Sequence, residues 1–258
     1  MDVTTEKKER VWTVIINRPE ARNAVNRQTA DQLVEAFLQL DRDDHAAVAV
    51  LWGAGGTFCA GTDLKAVAKI SEGEANRLDG NMTAPGPMGP SRLKLYKPVI
   101  AAISGYAVAW GLELACWCDL RVMERDAILG VFCRRFGVPL IDGGTQRLPR
   151  LIGMSRALDM ILTWRPVGAE EALTMELVNR IVDPGGSRIA AETLATEIAD
   201  FPQSCMRSDR LAVYEGFDET LDSAMENEFH RGLLVIASGE TEAGVAHFSS
   251  GQGSHGRF

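Results

Sequence analysis

The stretch PVIAAISGYAVAWGLELACWCDLRV, from Pro98 to Val122, decides the fold. It begins with an apolar, β-branched run, and its length raises the possibility of a membrane span, which takes about 18 or more apolar residues. Ser104, Gly105 and Gly111 interrupt the apolar run, and the carboxylate of Glu113 would lie in hydrocarbon. The stretch is therefore typical of a buried strand, a turn and a buried helix.

Strands and helices alternate on both sides of this stretch. VWTVII (11–16) and AVAVLW (47–52) are short β-branched runs, and RQTADQLVEAFLQL between them repeats apolar residues at helical spacing. Asn26 is a candidate N-cap of that helix. LRVMER (120–125) and AILGVF (127–132) predict two further strands. The alternation predicts an α/β fold.

The chain changes character near residue 200. The helical spacing that resumes after residue 186 ends at Pro202, and residues 209–238 form a further long, amphipathic and acidic helical stretch. We expect a core over residues 1–198 and a C-terminal helical region over residues 199–258.

Residues 66–92 lack clear periodicity and end in a Pro/Gly/Met cluster, NMTAPGPMGPS. Two interpretations stay open for this segment. It is either a mobile loop near a binding site or a plain surface excursion.

Composition excludes several classes of function. The chain has 258 residues, is 46% hydrophobic and carries a net charge of -8, so it can bury a large core but lacks the basic field that nucleic acids and membrane surfaces attract. Its five cysteines are dispersed, and no histidine completes a metal set beside Cys116 and Cys118. We expect reduced thiols, no metal site and a cytoplasmic protein, since the N-terminus shows no secretory pattern.

Familiar catalytic motifs are missing or accidental. GQGSHG (251–256) matches a dinucleotide fingerprint, but the chain offers no helix after it, so we interpret the match as chance. There is no G-x-S-x-G and no P-loop. The four histidines are scattered away from the glycine-rich segments, which gives a Ser-His-Asp device no support.

Two glycine-rich turns are more informative. GAGGTFCAGTDLK (53–65) follows one predicted strand, and GYAVAWGLEL (105–114) follows another. A strand, a glycine turn and a helix start together expose backbone N–H groups at the positive end of a helix. Two such turns that converge could hold one developing oxyanion.

These segments, with others in a fixed order over about residues 10–185, resemble the crotonase (enoyl-CoA hydratase/isomerase) family. The matching motifs are Asn17-Arg18-Pro19 with Asn23-Ala24, Phe58 to Leu64, Gly105-Tyr106-Ala107 through Gly111-Leu112-Glu113-Leu114, Gly143 to Leu148, Glu171-Ala172, and Leu177-Val178-Asn179-Arg180. The ordered set is far more specific than any single motif.

The resemblance implies a fold, an assembly and a substrate class. It implies a ClpP-like spiral of ββα units, with residues 199–258 as a helical trimerisation region and a homotrimer or dimer of trimers as the assembly. It implies an acyl-CoA thioester as the ligand and no resident cofactor, because coenzyme A arrives as part of the substrate.

The resemblance also implies an oxyanion hole made by the main-chain N–H groups of Thr62 and Trp110. Each such donor contributes about 2.7–4 kcal/mol to the transition state. The family usually has glycine where Trp110 stands, so the indole either narrows the acyl pocket or points into the core.

Glu113 coincides with one of the two glutamates that hydratases of the family use for water and the α-proton. An apolar pocket should raise its pKa, although a core-edge glutamate paired with an arginine is the alternative. The second glutamate is replaced by Cys133, a poorer proton donor and acceptor. Asp142 either supplies a replacement carboxylate or is a turn residue that caps the next helix.

For coenzyme A, the resemblance implies two groups of mainly main-chain contacts. They are Arg22 and Ala24 near the nucleotide, and Ala60, Asp63 and Leu64 along the pantetheine and adenine. Lys65 is either a further phosphate contact or a solvated helix charge.

The most specific hypothesis is an enoyl-CoA hydratase that adds water to a 2-enoyl-CoA with Glu113 as acid or base. A Δ3,Δ2-enoyl-CoA isomerase is the alternative within the family, because one carboxylate can serve a 1,3-proton shift. A non-catalytic acyl-CoA binding protein is the alternative from another class, motivated by Trp110 and Cys133.

Overall fold

A computed structural model describes residues 1–69, 71 and 73–250. The GQGSHG match at 251–256 lies outside the described residues. The chain divides into two compact units, residues 1–196 and 197–258.

A six-stranded sheet forms the centre of the first unit. Its strands are β1 (Val3–Lys8), β2 (Val11–Ile16), β3 (Val48–Gly53), β4 (Val99–Ile103), β6 (Leu120–Glu124) and β9 (Arg180–Val182), in the order β1-β2-β3-β4-β6-β9. Only the β1–β2 pair is antiparallel. Every residue of β2 and of β4 is buried, which explains why these strands are continuous apolar runs rather than alternating ones.

A smaller sheet lies beside the start of the helix predicted in the opening stretch. It contains β5 (Tyr106–Val108), β7 (Ile128–Gly130) and β8 (Val167–Gly168), in the order β5-β7-β8. The strand predicted over 127–132 is therefore shorter than expected. A 3-10 helix, Phe132–Phe136, replaces its last residue and carries Cys133.

Helices follow most of the strands in the first unit. They are α1 (Arg27–Arg42), α2 (Leu64–Val67), α3 (Trp110–Trp117), α4 (Gly144–Ile152), α5 (Met154–Thr163), α6 (Ala169–Thr174) and α7 (Ser187–Asp200). Asn26 is the N-cap of α1, and its side chain accepts from the N–H of Thr29 at 2.9 Å, as predicted. The predicted α/β architecture is confirmed.

The end of the chain is helical, as predicted. Two helices, α8 (Gln203–Gly216) and α9 (Leu221–Ala237), make up the helical stretch expected over 209–238. Gly216 ends the first, and the side chain of Thr220 accepts from the N–H of Ser223 to start the second. A last helix, α10, spans Glu240–Ser249.

None of the helices among residues 1–69, 71 and 73–250 is both long and apolar enough to cross a bilayer. The apolar run from residue 98 instead forms β4, β5 and α3. This arrangement places the N-terminus of α3, and with it Trp110 and Glu113, directly after two strand ends.

Candidate active site

At the start of α3, one main-chain N–H group has no partner within the helix and lies close to a second backbone segment. Trp110 is the first residue of the helix, so its N–H has no partner within α3. The preceding Ala109 has φ 55 and ψ -129, a conformation that a non-glycine residue rarely adopts. The N–H of Ala109 donates to the carbonyl of Gly130 at 2.8 Å, which holds this strained turn in place.

Thr62 reaches the same point from the other glycine-rich turn. Gly61 has φ +98, and a Cβ there would lie 3.1 Å from the nitrogen of Trp110, so the two backbones are in direct contact. Within the described part of the chain, neither Thr62 nor Trp110 donates its N–H to a main-chain carbonyl. The two turns therefore converge as the sequence predicted, with two main-chain donors available beside each other.

The indole of Trp110 points into the protein. The side chain is 4% exposed and belongs to the hydrophobic core, and its Nε1 donates to the carbonyl of Pro139 at 2.7 Å. Of the two orientations left open by the sequence, the structure has the inward one. The indole thereby ties α3 to the loop that carries Asp142.

Glu113 lies one turn further along α3, and only 1% of it is exposed. Its Oε1 accepts from the N–H of Asp142 at 3.0 Å and from the N–H of Gly144 at 2.6 Å. Its Oε2 is buried and has no hydrogen-bond partner among the residues that the structure describes. The alternative of an arginine-paired glutamate is wrong, because main-chain N–H groups hold this carboxyl.

Asp142 repeats this arrangement. It is 1% exposed, and its Oδ1 accepts from the N–H of Met88 at 3.0 Å and from the hydroxyl of Ser91. Its Oδ2 is buried, and no residue in the described ranges forms a hydrogen bond with it. The interpretation of Asp142 as a helix cap is wrong, since the N-cap of α4 is Gly143 and no side chain caps that helix.

Both carboxyl groups hold their protons more tightly than usual. Burial, with a smaller contribution from the charge of Asp142, raises the pKa of Glu113 to about 8 against the bonds from main-chain N–H groups. Burial also raises the pKa of Asp142, while the Ser91 hydroxyl, the Met88 N–H and two arginines favour its ionised form. The site thus holds two neighbouring acids whose pKa values are both raised, a pattern typical of proton transfer.

Cys133 lies near this pair but differs from it in chemistry. The residue is 5% exposed, and burial, together with the charge of Glu113, raises the pKa of its thiol. The proton therefore stays on the sulfur at neutral pH. A neutral thiol is a weak hydrogen-bonding group, so Cys133 is a poor substitute for a carboxylic acid.

The structure brings the five residues implied for coenzyme A together. They lie on two adjacent segments, with Arg22 and Ala24 on one, and Ala60, Asp63 and Leu64 on the other. The N–H of Ala60 donates to the carbonyl of Arg22 at 3.1 Å, and a parallel bridge pairs Val25 with Thr62. The carboxylate of Asp63 caps α2 and pairs with Arg18 at 3.0 Å, which leaves its side chain a structural role.

Sequence reasoning missed the residues that connect these parts. Asn76 is buried, accepts from the hydroxyl of Thr62 at 2.7 Å and donates to the carbonyl of Pro87 at 2.8 Å. Arg147 donates to the carbonyl of Asp142 at 2.7 Å and to that of Ser91 at 2.8 Å. These contacts join distant segments, so no local periodicity signals them.

The comparisons with known proteins agree with this geometry. The family model described as enoyl-CoA hydratase/isomerase matches residues 6–249. A crotonyl-CoA hydratase of Syntrophomonas wolfei is 31% identical over 96% of this chain and 94% of its own length. A short-chain-enoyl-CoA hydratase of Clostridium acetobutylicum is 33% identical over 88% of this chain and 86% of its own.

Solved structures show the same fold. The crystal structure of an enoyl-CoA hydratase from Mycobacterium tuberculosis H37Rv is similar with a TM-score of 0.90 and 34% identity, covering 96% of both chains. The match confirms the crotonase-type α/β fold predicted from the ordered motifs. This chain belongs to the enoyl-CoA hydratase/isomerase family, and it is an enzyme of that type.

Proposed function

We propose that this enzyme is an enoyl-CoA hydratase that adds water to a 2-enoyl-CoA thioester. The thioester oxygen would accept from the main-chain N–H groups of Thr62 and Trp110. These donors stabilise the negative charge that develops on that oxygen as water adds to the β-carbon. Glu113 and Asp142 would move the two protons that hydration requires. Coenzyme A enters with the substrate, and the scheme needs no resident cofactor.

The observation that supports this proposal is that the two carboxyl groups have the same hydrogen-bonding arrangement. In Glu113 and in Asp142, one oxygen accepts two hydrogen bonds and the other is buried and unpartnered. A buried carboxyl oxygen without a partner is costly, so two at one site indicate groups kept for a ligand or water. Hydration needs two such groups, which Glu113 alone would not supply.

The surroundings assign different roles to the two acids. Burial raises the pKa of both carboxyl groups. In Asp142 the Ser91 hydroxyl, the Met88 N–H and the charges of Arg92 and Arg147 oppose this effect, whereas in Glu113 burial, with a smaller contribution from the charge of Asp142, raises the pKa to about 8. At neutral pH we therefore assign Asp142 as the base that activates water and Glu113 as the acid that protonates the α-carbon.

The missing family glutamate motivates one rival. With neutral Cys133 in that position, a Δ3,Δ2-enoyl-CoA isomerase would need a single carboxylate to carry a proton between two carbons. The same substitution motivates a binding protein without turnover. The two free carboxyl oxygens favour hydration over both.

A substrate comparison tests the proposal. Purified wild type, Glu113→Gln and Asp142→Asn are assayed with crotonyl-CoA and with a 3-enoyl-CoA, and Ser104→Ala serves as a control because it also alters a buried, unpartnered polar group. Loss of the crotonyl-CoA absorbance that depends on both carboxyl groups supports hydration. Conversion of only the 3-enoyl substrate identifies an isomerase, and tight binding without turnover of either identifies a binding protein.

The helices of residues 197–250 support a proposed homotrimer or dimer of trimers. Several of their large apolar side chains are exposed in the single chain, which is typical of an interface. They include Val213, Tyr214, Phe217, Leu221, Met225, Phe229, Leu233, Leu234 and Ile236. Light scattering of the purified protein gives the number of subunits, and a monomer would refute this assembly.

We propose a cytoplasmic location. All five cysteines are free, and Cys59, Cys116, Cys118 and Cys133 are buried, which suits a reducing compartment. Fractionation of cells expressing the tagged chain tests this, and recovery outside the cytoplasm would refute it.

A further inference from the structure

The carboxyl group of Asp142 is held from a different part of the chain, the buried segment Gly86–Ser91. The hydroxyl of Ser91 and the N–H of Met88 both donate to Oδ1, and Ser91 is 1% exposed. No other residue described in the structure donates a side-chain hydrogen bond to this carboxyl. The orientation of Asp142 therefore depends on one short segment.

Main-chain hydrogen bonds and close packing define the shape of that segment. Gly86 and Gly89 exchange two main-chain hydrogen bonds of 2.9 Å each, which closes the segment into a tight loop. A Cβ on Gly86 would lie 2.0 Å from the hydroxyl oxygen of Ser91, so the loop packs directly on that hydroxyl. Arg147 joins the carbonyls of Ser91 and Asp142, which clamps the loop to the start of α4. Ser91 has little freedom to donate elsewhere.

We propose that Ser91 is a positioning residue for proton transfer, whose hydroxyl holds Oδ1 of Asp142 and leaves Oδ2 as the oxygen that exchanges protons. The proposal rests on the role given above to Asp142. A donor to one oxygen stabilises the ionised carboxyl and also fixes which lone pairs face the ligand. Ser91 would thus keep Asp142 ionised while Glu113, which lacks a side-chain donor of this kind, stays protonated.

Other charges act on Asp142 from every side of its surroundings. Glu113 on α3 repels the negative charge of Asp142 only when it is itself ionised, whereas Arg92, at the end of the 3-10 helix Pro90–Arg92, and Arg147 on α4 attract that charge. Replacing Ser91 by alanine alters none of these charges. The change therefore isolates the hydrogen bond from the electrostatic balance.

The first test follows the carboxyl group itself. Isotope-edited infrared titration of aspartate-labelled protein, with Asp142→Asn to identify the band, gives the pKa of Asp142 without any substrate. In Ser91→Ala the pKa should rise by about one unit, as expected when a carboxylate loses one donor. Ser91→Thr keeps a hydroxyl and should stay at the wild-type value, and Ser104→Ala controls for loss of a buried serine elsewhere. An unchanged titration in Ser91→Ala overturns the proposal.

The second test uses the pH dependence of kcat/KM. In Ser91→Ala the acidic limb should move to higher pH by the same amount as the infrared titration. Asp142→Asn should abolish that limb. A merely structural role would lower the rate at every pH without moving the limb, and that result overturns the proposal. If Ser91→Ala does not fold, Ser91→Cys, with its weaker donor, should shift the titration in the same direction.

The two tests separate this inference from the proposed function. A protein that turns over no enoyl-CoA refutes the proposed function, and the infrared titration then still decides whether Ser91 governs the Asp142 carboxyl. If Ser91→Ala shifts the infrared titration but leaves the acidic limb of kcat/KM unchanged in an active enzyme, the role of Ser91 in proton transfer is refuted.

Discussion

The main-chain N–H of Asp142 donates to Oε1 of Glu113 at 3.0 Å, so the backbone of one acidic residue positions the carboxyl group of the other. The two carboxyl groups cannot move independently. Their charges interact, and ionised Asp142 raises the pKa of Glu113.

The pH profile of kcat/KM should be bell-shaped, and deprotonation of Glu113 should produce its alkaline limb. Glu113 must be protonated to act as the acid, and its pKa is about 8, so kcat/KM should fall as the pH rises through about 8. In Glu113→Gln this limb should disappear together with most of the rate. A rate that keeps rising above pH 8 would show instead that ionised Glu113 is the base.

The stability of the fold should also carry the signature of Glu113. The native pKa of about 8 exceeds the ordinary value of 4.5, so the native state binds this proton more tightly than the unfolded chain does. The contribution of protonated Glu113 to the free energy of unfolding is complete below pH 4.5. It is lost as the pH rises through about 8, at up to about 1.4 kcal/mol per pH unit. Urea unfolding should therefore show that the free energy of unfolding of Glu113→Gln rises relative to that of wild type between these two pH values.

Glu171→Gln is the matched control for that comparison. A hydrogen bond from Arg165 lowers the pKa of Glu171, so its contribution is lost only as the pH falls below the ordinary range. The difference in free energy of unfolding between Glu171→Gln and wild type should stay constant between about pH 5 and 9, because this range lies above the ordinary glutamate pKa of about 4.3. An equally flat difference for Glu113→Gln would contradict the raised pKa.

Gly61→Ala should damage the proposed oxyanion hole. The added Cβ would lie 3.0 Å from Cβ of Ala109 and 3.1 Å from the nitrogen of Trp110, which forces the two donor segments apart. We expect kcat/KM to fall toward the loss of about 10²–10³ seen when one oxyanion donor is removed.

The control is Gly56→Ala, which has a similar φ of +79 but no atom within 4 Å of the added Cβ. Both variants should lose stability through backbone strain, by about 1–3 kcal/mol. Only Gly61→Ala should lose activity beyond what its stability explains. Equal activity losses in the two variants would refute the contact between the turns as the cause.

Trp110→Phe should separate packing from catalysis. It removes the hydrogen bond from Nε1 to Pro139, which should cost about 0.5–1.5 kcal/mol in urea unfolding. The main-chain N–H remains, so kcat/KM should stay within a few-fold of wild type. Trp110→Ala, which empties core volume, should cost about 3–5 kcal/mol. A large rate loss in Trp110→Phe at a normal KM would mean that the indole itself acts on the substrate.

The parts of the fold that depend on local pattern could be predicted from the sequence. The β-branched runs of β2, β3 and β4 and the N-cap at Asn26 follow from neighbouring residues, whereas the contact between the two glycine turns is tertiary and the sequence alone did not decide it. The break between α8 and α9 could not be placed, because the apolar spacing continues across Gly216 and the cap at Thr220 was not recognised.

The candidate site was predictable only in part. The burial of Glu113 followed from the apolar run around it, but the partners of Asp142 did not, because Ser91 lies 51 residues away along the chain. Whether Asp142 caps a helix or serves the site depends on the path of Gly86–Ser91, a segment with no periodicity. Tertiary contacts, not local propensity, decide that question.

A double-mutant cycle tests the central claim that Glu113 and Asp142 act as a unit. Initial rates of crotonyl-CoA hydration are measured for wild type, Glu113→Gln, Asp142→Asn and the double variant, with Ser104→Ala as the control for a buried polar substitution. Each single variant should lose about 10²–10⁴ in kcat/KM, and the double variant should lose little more than either. An Asp142→Asn enzyme with nearly the wild-type rate, or losses that simply multiply in the double variant, would contradict the account.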